Sequence, residues 1–71
     1  METKSELQRK LKNTYKKYQL ELKNIERLNY SLERSRNIKF INKVKLELSK
    51  HERAAEKYKN KCLSFSQQLT D

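Results

Sequence analysis

Seventy-one residues with a formal charge of +9 form at most one small domain, and a chain of that size buries too little surface to hold a deep core with a sculpted catalytic cleft. Hydrophobic residues make up 34% and charged residues 38%, near the border of disorder, so the pattern of apolar residues rather than their number must supply the fold. Glycine and proline are both absent, which removes the usual punctuation of tight turns, bulges and helix breaks and makes an all-α chain the expectation.

A helix start is written at the beginning of the chain. Thr3 is followed three residues later by Glu6, the capping-box spacing, and predicts a first helix over about 4–35. Leu11, Tyr15, Tyr18, Leu22, Ile25, Asn29 and Leu32 then alternate at spacings of four and three, with Leu7 and Leu28 flanking the row; this is a heptad seam with one polar insert. A second seam is stricter: Ile41, Val44, Leu48, His51, Ala55, Tyr58, Cys62, Phe65 and Leu69 share one face of a second helix over about 38–69.

The two seams do not join. Extending the first past Leu32 lands on Arg36, Lys39 and Lys43, whereas the second resumes at Ile41, five residues beyond Arg36; an insertion of three or four residues in a continuous coiled coil does not produce that offset. The frame fails at Ser35, Arg36 and Asn37, so a turn is expected at 36–37. Asn37 suits it in two ways, as a left-handed residue ending the first helix or as the N-cap of the second. The predicted fold is therefore an antiparallel hairpin of two long helices, associating into a dimeric four-helix bundle; the alternative is one long helix in a parallel coiled coil.

Apolar residues outside the seams, Leu7, Leu28 and Tyr30 on the first helix and Ile38, Phe40 and Leu46 on the second, predict a further copy or another protein as partner. Asn29 in a seam is expected to fix register and partner number. His51 is expected to face Leu22 or a glutamate, and Cys62 to serve as a small hydrophobe.

Charge is unevenly spread. Arg9, Lys10, Lys12, Lys16, Lys17 and Lys23 are offset only by Glu21, and the stretch 34–45 holds Arg34, Arg36, Lys39, Lys43 and Lys45 with no acid. Folding at the turn brings Lys57, Lys59 and Lys61 beside the Lys12–Lys17 region and places Glu21 and Glu26 opposite Glu52 and Glu47. Arg9, Lys16 and Lys23 recur every seven residues, beside Lys10 and Lys17 and continued by Tyr30, as do Lys43, Lys50 and Lys57 on the second helix. These stripes, with Arg34, Arg36 and Lys39 at the tip, are the candidate polyanion-binding residues. No zinc-finger spacing, aromatic sheet motif or short helix-turn-helix accompanies them, so any nucleic-acid contact is expected to read phosphates rather than bases.

One histidine and one cysteine in the same seam build neither a zinc site nor a Cys–His dyad, and no glycine-rich phosphate loop is present. No catalytic residue, metal, cofactor or small-molecule substrate is expected. No apolar run approaches the roughly 18 residues that span a bilayer and no hydrophobic leader follows Met1, so an intracellular protein, cytoplasmic or nuclear, is expected. The second seam is still running at Leu69, as it would in one segment of a longer coiled coil.

The segment SKHERAAEKYKNKC, residues 49–62, resembles the lysine-rich helices of F-BAR membrane-curving proteins over less than a quarter of the chain. The hairpin architecture also resembles short antiparallel hairpins that bind small GTPases, without a shared motif. Neither resemblance assigns a residue. The expected function is that of a non-enzymatic coiled-coil interaction and oligomerisation module, binding itself and another protein through its apolar stripe. A basic nucleic-acid-binding accessory protein is the alternative, and a peripheral binder of anionic membrane the third.

Overall fold

The computed structural model describes residues 3–70. Two helices, α1 (Lys4–Arg34) and α2 (Ile38–Thr70), lie antiparallel and packed against each other, joined by the three residues Ser35–Asn37. At about 1.5 Å rise per residue each helix is roughly 45–50 Å long, and the hairpin is a straight rod of 52 × 14 × 14 Å.

Both helix starts are capped by a side chain. The Thr3 hydroxyl accepts the Glu6 N–H at 3.2 Å, and the Thr3 carbonyl accepts from Leu7 at 3.1 Å. At the other end of α1, Ser35 leaves the helix in an extended conformation (φ −90°, ψ 141°). Its N–H is shared between the carbonyls of Ser31 (3.1 Å) and Leu32 (3.4 Å), so two of the carbonyls left open at the helix end gain a donor.

Asn37 then opens α2. Its side-chain oxygen accepts from the N–H groups of Lys39 (3.0 Å) and Phe40 (3.4 Å), and its carbonyl accepts from Ile41 at 2.9 Å. Of the two routes open to Asn37, the left-handed one is not taken: no described residue has positive φ. The chain reverses through extended backbone plus an N-cap, which needs no glycine. α2 has no acid in its first turn and carries Lys39 there, unfavourably placed against the positive end of the helix dipole. Asn37 therefore supplies most of the local stabilisation of that end.

All nine residues of the second seam, Ile41 to Leu69, are buried or half-buried, with Val44, Leu48 and Ala55 the deepest at 4%, 7% and 6% exposure. The inner row of α1 differs from the expected one. Leu7, Leu11, Thr14, Tyr18, Glu21, Ile25, Leu28 and Leu32 turn toward α2, while Tyr15, Leu22 and Asn29 are exposed beside them. Leu11, Tyr18, Ile25 and Leu32 belong to both rows, so the correction is a rotation of α1 by about 50°, half of one residue's arc. Burying Tyr15 and Leu22 would have expelled Leu7 and Leu28, and would have turned Glu21 away from His51, the one polar member of the facing row.

Replacing Asn37 by Ala is expected to lower the unfolding free energy by about 1 kcal/mol, and Asn37→Asp to retain or raise it because a carboxylate also favours the helix N-terminus; chemical denaturation followed by helical circular dichroism measures both. By the same readout Leu48→Ala should cost about 2–5 kcal/mol. Leu20→Ala, at a site 60% exposed, should change stability by no more than about 0.5 kcal/mol.

Candidate interaction surface

Within the seam, His51 Nδ1 and Glu21 Oε2 are 2.5 Å apart, bridging the two helices across thirty residues of chain. The side chains are 32% and 18% exposed, so water reaches the contact and screens its charge. Its main effect is to fix register. It places Glu21 against His51 and brings Leu11, Tyr15 and Tyr18 to the height of Lys59, Cys62 and Leu63.

The inner rows divide the rod into two flanks. On the first flank α1 presents Gln8, Lys12, Tyr15, Gln19, Leu22, Glu26, Asn29 and Glu33, and α2 presents Lys45, Glu52, Glu56, Lys59, Leu63 and Ser66. An open groove of about 330 Å³ lies there between the helices, lined by Leu11, Tyr15, Tyr18, Lys59, Cys62, Leu63 and Ser66. It adjoins a hollow lined by Gln8, Leu11, Lys12 and Tyr15, and α1 continues toward the tip with another lined by Leu22, Ile25, Glu26, Asn29, Tyr30 and Glu33. The Tyr15 and Tyr18 rings meet at 6.4 Å between centroids, inclined by 43°. Tyr15, Leu22 and Leu63 are 50%, 43% and 54% exposed. Charge on this flank balances, with Lys12, Lys45 and Lys59 set against Glu26, Glu33, Glu52 and Glu56.

The second flank is built differently. Small or short side chains, Asn24, Ser31 and Ala54, sit half-buried along it and let the helices close. Farther out, α1 carries Lys10, Lys17, Arg27 and Arg34 and α2 carries Lys43, Lys50, Lys57 and Lys61, against Glu6 and Glu47 alone. A third row, Arg9, Lys16 and Lys23, runs down the outermost face of α1. Every basic residue singled out from the sequence is exposed, but the structure distributes them between this flank, the outer face and the tip rather than gathering them in one patch.

At the tip, the Arg34 guanidinium lies 4.5 Å from the centroid of the Tyr30 ring, and Phe40 lines the same hollow with Ser31 and Ser35. Arg36 and Lys39 are exposed beside it. Tyr30 is thus an exposed aromatic held under a cation, rather than a bare end of the lysine stripe.

Chemically, the surface offers apolar contact and charge. His51 and Cys62 are eleven residues apart on one helix, roughly 16 Å along its axis, and Cys62 is a half-buried free thiol. Among the described residues no group of three or more His, Cys, Asp or Glu side chains is placed to hold a metal ion, and no helix is long and apolar enough to cross a membrane.

Sequence reasoning passed over Leu63, and it expected His51 to face Leu22 or a glutamate without naming Glu21, the partner it has. Leu63 sits one residue beyond the strict row of α2, and its proximity to Tyr15 depends on the register between helices. Glu21 had a usable signal, since an acid one heptad from Thr14 and Leu28 is the natural acceptor for a seam histidine. A double-mutant cycle on His51→Ala and Glu21→Ala, measured by urea denaturation, should return a coupling of about 0.5–1.5 kcal/mol.

The chain matches no protein-family model, no curated protein and no solved structure.

Proposed function

We propose that the chain is a non-enzymatic, intracellular coiled-coil interaction module whose first flank docks on the same flank of a second copy, giving a dimeric four-helix bundle with the basic surfaces outward. One observation carries this reading: the exposed apolar residues Tyr15 and Leu22 of α1 share a row, with Leu63 of α2 across the groove, on the flank where charge balances.

Two forces favour that mode of approach. Covering apolar surface is worth about 25 cal/mol per Å², and among the described residues only Leu7, Val44, Leu48 and Ala55 are nearly covered within one hairpin, so a single copy has little burial to set against chain entropy. Two chains of charge +9 repel at most of their surfaces. Meeting through the flank where three lysines face four glutamates minimises the repulsion and leaves opposite charges available for pairing. An amphipathic helix of another protein is the alternative occupant of the row, since the same contacts suit it. The second seam and the Leu11, Tyr18, Ile25 and Leu32 half of the first are used up inside the hairpin, so the docking surface is the remaining half of the first seam, Tyr15, Leu22 and Asn29.

Light scattering and sedimentation should find twice the 8.7 kDa chain mass at micromolar concentration. Changing Tyr15 and Leu22 together to Ser should weaken the dimer at least about tenfold, equivalent to about 1.4 kcal/mol, whereas Leu20→Ser on the other side should not. A monomer at every concentration, or a dimer indifferent to the double substitution, would rule out docking of a second copy by this flank.

A further inference from the structure

We infer that the second flank is a sequence-independent phosphate-binding face for duplex nucleic acid, with Lys17, Arg27, Lys43, Lys50 and Lys57 as its central contacts. The face exists in one hairpin and does not require docking. Combined with the docking proposed above, it would give the dimer two such faces, pointing in opposite directions.

Segregation of charge is the first support. With the first flank balanced, the surplus behind the +9 total falls on the second flank, the outer rows and the tip. On the second flank only Glu6 and Glu47 oppose the cations among the described residues: Glu6 lies at the start of α1, and Glu47, one turn from both Lys43 and Lys50, is the single acid within the band. A predominantly positive surface bordering a low-dielectric seam focuses its field outward and concentrates polyanions along it.

Dimension is the second support. From Lys10 to Arg34 the basic band extends roughly 36 Å along a helix axis, close to the ~34 Å of one duplex turn. The rod carrying it is straight, 52 Å long and 14 Å thick. Lys43, Lys50 and Lys57 repeat every seven residues, about 10.5 Å apart, within reach of alternate phosphates for long lysine side chains. Arg27 is partly steadied by the bond from its guanidinium to Asn24 Oδ1 at 3.3 Å.

What the flank lacks selects the ligand. Single strands are held by stacking successive bases on aromatic side chains, yet of the exposed aromatics Tyr15 lies on the first flank and Tyr30 and Phe40 share the hollow at the tip, none in the rows of the five central contacts. A helix lying in a membrane interface buries an apolar stripe beside its basic residues. Among the described residues the large exposed apolar side chains on or bordering this side are Leu20 on α1, Leu46 between Lys43 and Lys50 on α2 and Phe40 at the tip, which do not form a row along either helix. Base edges are not read, because lysines on a rod too wide and regular to enter a groove meet only the backbone.

The test titrates a fluorescent DNA duplex of about 20 base pairs, in two unrelated sequences, between about 50 and 200 mM salt. Five contacts at about −0.9 each predict a log–log salt slope near −4.5, equal for both sequences. Changing Lys43, Lys50 and Lys57 together to Gln should reduce the slope by about 2.7. Lys12, Lys45 and Lys59 changed to Gln remove the same charge from the first flank and should leave most of the slope intact; circular dichroism confirms that both variants keep their helices. Equal losses from the two triple variants, no duplex binding at the low salt, or uptake by phosphatidylserine vesicles without duplex binding would each overturn the inference. The Tyr15→Ser, Leu22→Ser variant separates it from the docking reading. That protein should keep the duplex slope whatever its mass in solution, and loss of the slope would show that the face does not belong to the single hairpin.

Discussion

The structure depends on one packing constraint: α2 has a single unbroken row of nine residues that must be covered, and α1 has two overlapping rows able to cover it. Val44, Leu48 and Ala55 form the closest part of that contact, and His51 lies between Leu48 and Ala55 in the same row. Apolar area alone would favour bringing Tyr15 and Leu22 inward, because they are larger than Thr14 and Glu21. Satisfying His51 favours Glu21, and the line that brings Glu21 inward also brings Leu7 and Leu28. A buried or half-buried polar group left without a partner costs about 1–3 kcal/mol, comparable with the gain from one further apolar side chain, so the polar requirement together with two leucines outweighs one tyrosine and one leucine.

That choice has a consequence at the surface. Turning the line of Thr14 and Glu21 inward pushes Tyr15 and Leu22 out to the first flank, where Tyr15 lines a groove with Leu11, Tyr18, Cys62 and Leu63 and Leu22 lines the next hollow with Ile25 and Asn29. The same rotation sets Asn24 and Ser31 against the second flank, where short side chains allow the helices to close and the lysines stand clear. The row of Tyr15 and Leu22 with Leu63, and most of the surplus charge, are thereby set on opposite sides of a rod only 14 Å thick, with the apolar residues Leu20, Leu46 and Phe40 left on or bordering the charged side. A thin rod has no interior in which to hide either, and separation lets each side meet a different kind of surface without desolvating the other's charges.

The turn shows how a chain without glycine reverses direction. A left-handed residue is the common solution, and asparagine tolerates it at some conformational cost. Here Ser35 is extended and Asn37 spends its side chain on two N–H groups of α2. The basic tip that results, Arg34, Arg36 and Lys39, is tolerable because Arg34 sits at the negative end of α1 and over the Tyr30 ring, whereas Lys39 opposes the dipole of α2 and relies on Asn37 to hold that end.

By itself the sequence determined the two helices, the cap at Thr3, the broken frame that points to a turn, and the complete inner row of α2, because each of these follows from local spacing and from side chains bonding to nearby backbone; it left Asn37 open between a left-handed helix end and an N-cap. It also determined that the cations would be exposed, since lysine stripes off the seams have nowhere else to go. It left the inner face of α1 undecided between two rows differing by one residue. Only packing against α2 resolved that, because the deciding interaction, Glu21 with His51, joins residues thirty positions apart. The pairing of Tyr15 with Leu63 across a groove, and the division of balanced from surplus charge between the flanks, followed from the same rotation and so belong to the tertiary structure alone.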